Sequence, residues 1–273
     1  MAGADGAGSS KSARYEVVAV RYATRPTLKS ELYYRYETYK EPDADSVMDY
    51  FYWVLRGRGE TILVDTGFDP VGGGARRGRT CLRTPVDALR DLGIEPEAVS
   101  TIIVSHFHYD HIGNIQEFPQ AKLIVPQKEM DFWTGPLAAR YHFASHFEPD
   151  EVARIVEANR SGRVRITDGT EEILDGITAI SVGGHSPGQQ VTVVATAAGD
   201  VVLASDAVHY YEEFALERPF AVMADLAQMY QAYDLLKELA AAPGAVVVPG
   251  HDADVVNRFP LVDASNPNAV RIA

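Results

Sequence analysis

The segment Ser105-His106-Phe107-His108-Tyr109-Asp110-His111-Ile112-Gly113-Asn114 decides how the chain is read. Four imidazole or carboxylate side chains, His106, His108, Asp110 and His111, fall within six positions. They follow residues 99–104, an apolar run with the character of a buried strand. On an extended backbone, residues i and i+2 project to the same side, so His106 and His108 can share one ion. Asp110 and His111, at the turn into a helix, can reach a second. Borderline ions such as zinc take imidazole nitrogen with some carboxylate oxygen. A single histidine at a strand end is usually a satisfied polar group. Several such groups beside an apolar strand are costly to bury unpaired, and a metal is the simplest compensation.

The same context recurs further along the chain. His185 lies in Gly183-Gly184-His185-Ser186-Pro187-Gly188, after the strand-like residues 177–182. Asp206 lies in Ser205-Asp206-Ala207, after residues 201–204. His251 follows Val246-Val247-Val248-Pro249-Gly250. Of eight histidines, five occupy such positions, and His142, His146 and His209 are left over.

Outward from these motifs the chain alternates strands and helices. Residues 15–20 read as a strand, 50–55 as a second with aromatics on both faces, and 61–64 as a third, joined to the second by a hairpin at Gly57–Gly59. Residues 69–79, with three consecutive glycines and several arginines, read as a surface loop near a site. Residues 84–93 carry a helix signature, with Thr84 as cap, Pro85 first and Gly93 last. A strand at 123–125 and helices at 127–133 and 148–159 follow. Strands at 173–174, 177–182, 190–195 and 201–204, a long amphipathic helix over 222–241 and a buried strand at 245–248 complete the pattern. Paired strands with interspersed helices predict an α/β fold, an αββα sandwich of two packed sheets with helices outside. The expected organisation is a disordered leader over 1–14 and a single domain over 15–273.

Composition narrows the function. Against 25 Lys and Arg stand 38 Asp and Glu, a formal net charge of −13 over 273 residues. That balance disfavours nucleic acid and anionic membrane as partners, and leaves a small molecule as the expected ligand. No apolar run approaches a membrane span. The N-terminus has no apolar signal segment, so a cytoplasmic location is expected. Cys81 stands alone, so no internal disulfide forms, and with no histidine near it in sequence it reads as an incidental thiol.

Taken together, His-X-His-X-Asp-His, Gly-His-Ser-Pro-Gly, Ser-Asp-Ala and Pro-Gly-His-Asp resemble the metallo-β-lactamase superfamily, and within it the N-acyl-homoserine-lactone lactonase branch. The resemblance covers roughly residues 54–252. It implies two divalent ions per chain, expected to be zinc, with iron, manganese or cobalt as alternatives. His106, His108 and His185 would hold one ion; Asp110, His111 and His251 the other; Asp206 would bridge them. Asp65 would orient a ligand histidine from behind. The implied chemistry is hydrolysis by a shared water whose pKa the ions lower toward neutrality, with Asp110 passing a proton to the leaving group. Opening of a lactone ring is the leading expectation. Cleavage of an aryl ester, an activated aryl ether or a glyoxalase II-like thioester is the alternative.

The match departs at one position. Lactonases of this branch place a tyrosine three residues after the bridging aspartate, where this chain has His209 followed by Tyr210 and Tyr211. His209 is the candidate to donate to the substrate carbonyl in its place, or Tyr210 swings in; the plain alternative is a His209 that faces solvent. Phe132-Trp133 and Tyr141-His142-Phe143 are candidate lid segments, and His142 with His146 would stack on a helix face. The aromatics of residues 33–53 read chiefly as core or as contacts of a homo-oligomer or larger complex. A glutathione-binding C-terminal extension, a nuclease insertion and a flavodoxin domain are not seen in the sequence. With seven ligand-type residues in place, a degenerate binding protein is the weakest alternative.

Overall fold

The computed structural model describes residues 14–273. The leader expected over 1–14 lies, apart from Arg14, outside the described residues. The chain forms β1 (Glu16–Leu28), β2 (Asp45–Gly57), β3 (Glu60–Val64), β4 (Thr80–Cys81), β5 (Val99–Ile103), β6 (Lys122–Pro126) and β7 (Val164–Thr167). It continues with β8 (Thr170–Leu174), β9 (Ile177–Ser181), β10 (Gln190–Ala195), β11 (Asp200–Ser205), β12 (Val246–Pro249) and β13 (Ala269–Arg271). One sheet runs β13-β1-β2-β3-β5-β6-β7, with β4 on β1; the other runs β12-β11-β10-β9-β8. The β2–β3 hairpin turns through Arg58 and Gly59, both at positive φ (56° and 77°), the geometry that matches strand twist.

Alternation along the strands builds the layers. In β2, Tyr50, Tyr52 and Val54 face one core while Phe51, Trp53 and Leu55 face another, all of them buried. The second set meets Ile177, Val194, Val201, Leu203 and Val248 between the two sheets. The first set meets Ala88, Leu89, Met130, Trp133, Val152 and Ile155 from helices on the outer side. On the far side, Val191, Val202 and Ala204 pack against Met229, Ala232, Tyr233 and Leu236 of the Leu226–Ala240 helix. Helix, sheet, sheet and helix therefore stack in the expected αββα order. No helix among the described residues is long and apolar enough to cross a membrane.

The strands β4, β7 and β13 and a helical turn at Gly73–Arg76 within the expected loop were not foreseen, and two further differences bear on the site. The helix expected over 222–241 begins only at Leu226, because Asp225 caps it through Gln228 N at 3.0 Å. Before it, the backbone N–H groups of Ala224 and Asp225 donate to Gly184 O at 2.8 and 2.9 Å, which ties this stretch to the His185 loop. The first strand, expected over 15–20, runs on to Leu28 after a register shift between Arg21 and Ala23, which carries Arg25 toward the site.

One buried acid in the outer helix layer carries a stability cost. Glu151 is 4% exposed in the Pro149–Arg160 helix, and its Oε2 has no hydrogen-bond partner. Burial, then Glu148, pushes its carboxyl up to about 8 from 4.5, against Arg154 and Arg77. The folded state holds this proton more tightly than the unfolded chain. The stability linked to it is thus full below about pH 4.5 and is lost as pH rises through about 8. Glu151→Gln should leave thermal stability unchanged at pH 5 and raise it by on the order of 1–2 kcal/mol at pH 9. Equal midpoints at both pH values would contradict this account of Glu151.

Candidate metal centre

Every residue of the expected ligand set sits just beyond the C-terminal end of a strand, along one edge of the sandwich. His106, His108, Asp110 and His111 follow β5, His185 follows β9, Asp206 follows β11 and His251 follows β12. All seven are 6% exposed or less. Two backbone positions at this edge, Asp65 (φ 62°) and Ser205 (φ 47°), hold the left-handed conformation without being glycine. Such strain persists where the surroundings over-determine it, commonly at functional sites.

Asp206 lies at the centre of the arrangement. Its Oδ1 is 3.3 Å from His111 Nε2 and 3.2 Å from His251 Nε2. Its Oδ2 is 3.3 Å from His185 Nε2 and 3.8 Å from His106 Nε2. His108 Nδ1 lies 2.8 Å from His185 Nε2. The donor atoms thus form two groups, His106, His108, His185 and Asp206 in one, Asp110, His111 and His251 in the other, each spanning no more than 4.8 Å.

The tautomers show that these nitrogens suit cations. His185 Nδ1 lies 2.8 Å from Val222 O, and His251 Nδ1 lies 2.7 Å from Asp49 O. A carbonyl only accepts, so each Nδ1 carries the hydrogen and each Nε2 turns a lone pair to the centre. The Nε2 atoms of His106, His111 and His209 are buried with no hydrogen-bond partner, and the first two lie within the donor groups, as expected of atoms that await a metal. Burial, and then the neighbouring imidazoles, holds His106 and His108 well below the usual histidine range, which favours the neutral ligand form. At Asp206 burial opposes ionisation, but His251, His111, His209 and His185 outweigh it and hold the carboxyl well below its usual range.

Two acids behind the centre set its shape. Asp65 accepts from Ser105 N and Ser105 Oγ, each at 2.8 Å, and its Oδ2 lies 2.8 Å from His111 Nδ1. It therefore stands behind a candidate ligand, as the resemblance implied. The second acid, Glu129, escaped sequence reasoning, where it is one more acid of the Gln127–Trp133 helix. Fully buried, it accepts from Phe107 N (2.8 Å), Ser186 Oγ (2.6 Å), Gly188 N (2.6 Å) and Trp133 Nε1 (2.7 Å). It ties the His106–His108 segment to the His185 loop, and Gly188 leaves no room for a Cβ against its backbone. Glu129→Ala would strand these donors at about 1–3 kcal/mol each. The metal-free protein should then unfold at least about 5 °C lower in a thermal melt. An unchanged midpoint would remove Glu129 from this role.

His209 is fully buried, so the solvent-facing alternative does not hold. Its Nε2 lies 3.2 Å from Asp206 Oδ2, its Nδ1 lies 3.2 Å from Glu213 Oε2, and its ring stacks on Phe220 at 3.7 Å. Burial works against its charge, but Asp206 and Glu213 on either side push the imidazole up to about 9. Glu213 was also missed: it is wholly buried and accepts from His209 N at 2.6 Å and Tyr233 OH at 2.5 Å. Tyr210 is not brought to the centre. Its hydroxyl donates to Val47 O at 3.4 Å, its ring packs edge-on against Tyr33, and it does not line the cavity. Packing on the β2 side holds the ring there, which corrects the expectation that it swings in.

A cavity of about 370 Å³ opens above the centre, lined by His108, Asp110, His185 and Asp206 together with His146, Tyr50 and Arg79. Trp133 packs against His108 at 5.4 Å and against Phe132 and Phe143, while Tyr141 is almost wholly exposed. His142 and His146 do not stack on one helix, since the Tyr141–Ala144 helix ends before His146; the His146 ring meets His142 edge-on at 6.3 Å and His108 at 5.4 Å.

Known proteins share this architecture. An N-acyl homoserine lactonase of a Bacillus species is 31% identical over 170 residues, a segment that spans 62% of this chain and 62% of that protein. The lactonase AttM of Azorhizobium caulinodans is 28% identical over 229 residues, 77% of this chain and 83% of that one. Among solved structures, an N-acyl homoserine lactone hydrolase with N-hexanoyl-L-homoserine bound at its catalytic metal centre superposes with a TM-score of 0.73 at 22% identity, covering 90% of this chain and 97% of that one. AidC, a dizinc quorum-quenching lactonase, superposes with a TM-score of 0.70 at 19% identity, covering 94% of each chain. Residues 47–251 match the family model of the metallo-beta-lactamase superfamily, and the stretch takes in all seven donors and every strand of the sandwich but β1 and β13, with β2 nearly complete. The chain belongs to that superfamily.

Proposed function

We propose that the protein is a hydrolase that uses two divalent cations, expected to be zinc, to open a lactone ring. The observation that carries this is Asp206 at the floor of one cavity, with Oδ1 toward His111, Oδ2 toward His185 and His106, and His251 Nε2 within 3.3 Å of both oxygens. In this reading His106, His108 and His185 hold one ion, Asp110, His111 and His251 the other, and Asp206 joins them. Such a pair supplies Lewis acidity and an activated water. The chain's part is to fix the donors and manage protons. Asp65 fixes His111, and the carbonyls of Val222 and Asp49 fix His185 and His251. Asp110 faces the cavity, and its carboxylate can carry a proton to the departing alkoxide. His209, braced by Glu213, holds Asp206 from behind.

The lactone preference draws support from relatives that are N-acyl homoserine lactonases. Metal-loaded protein should be assayed by pH-stat on matched lactones, aryl esters and thioesters. The expected result is turnover of lactones ahead of the other two. Turnover of esters or thioesters alone would keep the hydrolase and overturn the lactone. No turnover of any would overturn both.

A further inference from the structure

The Gly- and Arg-rich residues 69–79 leave one cation that the metal centre does not use. Arg79 reaches the same cavity as Asp110 and Asp206. Its Nε donates to Tyr109 OH at 2.9 Å and its Nη1 to Arg77 O at 3.1 Å, so both contacts aim the guanidinium without neutralising it. Among the described residues its Nη2 has no acceptor and Arg79 takes part in no ion pair within 4.0 Å; its only other engagement is a face-on approach to the Tyr50 ring at 5.8 Å. The neighbouring arginines of this stretch are engaged elsewhere, Arg76 and Arg77 both with Glu148.

A second guanidinium lines the same cavity. Arg25 spends one terminal nitrogen on Thr27 Oγ1 (2.7 Å) and Glu31 (2.9 Å), while its Nε is buried without a partner. The charges around the cavity then divide unevenly. Glu31 offsets Arg25, and Asp110, whose charge acts on Arg79 across the cavity, belongs with Asp206 to the metal groups, which leaves Arg79 without a direct ion pair among the described residues. A half-buried, unpaired guanidinium costs desolvation that a ligand carboxylate can return. The planar fork of Arg matches a carboxylate in two parallel hydrogen bonds.

We propose that the substrate carries a carboxylate remote from its scissile bond, and that Arg79 pairs with it, flanked by Arg25. The inference rests on the hydrolytic reading for what happens at the cavity floor, and it narrows the substrate class to anionic lactones or esters. Neutral acyl chains lack the group that Arg79 awaits.

The test uses metal-loaded protein and two probes of equal chain length, glutarate and pentanoate, titrated calorimetrically. Each offers one carboxylate to the metals, and only glutarate offers a second to Arg79. Glutarate should bind at least about tenfold more tightly, a difference of about 1.4 kcal/mol. Arg79→Met should bring the two within about twofold, and Arg79→Lys should restore part of the gap. The matching kinetic arm compares N-glutaryl- with N-pentanoyl-homoserine lactone, whose kcat/KM ratio should favour the former and collapse in Arg79→Met. Equal binding of the two probes by the unaltered protein would overturn the proposal, as would a preference that survives Arg79→Met. If no lactone is turned over while the glutarate preference still tracks Arg79, the lactone reading falls and the anion subsite stands.

Discussion

Replacing Asp206 by Ala should strip the protein of most of its bound metal and lower hydrolysis by more than about 10³-fold. Both carboxylate oxygens are committed, Oδ1 toward His111, Oδ2 toward His185 and His106, and both toward His251. Alanine removes the atom pair that makes two donor groups into one centre. It also removes the negative charge that would offset two dications held by the two donor groups. Asp206→Asn keeps the volume and one oxygen, so it should retain more metal than Asp206→Ala while still losing most activity. Elemental analysis and turnover, with circular dichroism to confirm folding, check this. Retained full activity in a folded Asp206→Ala protein would refute the assigned core.

His209→Phe should lower turnover by about 10–100-fold while metal content stays unchanged, the behaviour of a group that orients a ligand from behind. A phenyl ring fits the slot, because His209 already stacks on Phe220 with an interplanar angle of 17°. Glu213 is not stranded by the change, since the backbone N–H groups of residues 209 and 210 and the Tyr233 hydroxyl still donate to it. What is lost is the nitrogen 3.2 Å from Asp206 Oδ2. If metal leaves together with activity, His209 holds an ion rather than a ligand. If turnover is unchanged, it has no part in the reaction.

The seven residues that the fold gathers at one edge were legible because His106, His108, His185, Asp206 and His251 each follow an apolar strand, and Asp110 and His111 continue the first of these motifs into a short helix. The two-sided burial of β2 was visible in its unbroken aromatic run. Glu129 and Glu213 were not legible, because a lone acid in an amphipathic helix looks the same whether it faces water or four buried donors. The late start of the 226–240 helix was hidden for a related reason: apolar residues 222–223 extend its pattern, while the Asp225 cap and the bonds of Ala224 and Asp225 to Gly184 O hold the chain out of the helix before Leu226. Tyr210 and His209 are neighbours, yet opposite sides of one extended backbone send the first toward Val47 and the second toward Asp206.

The central claim is a pair of cations held by one carboxylate, and the most direct measurement is the metal content of the purified protein after reconstitution and removal of free ions. Elemental analysis should give two divalent ions per chain. A plateau at one ion, or no retained metal, would contradict the two-ion centre and the hydrolytic chemistry built on it.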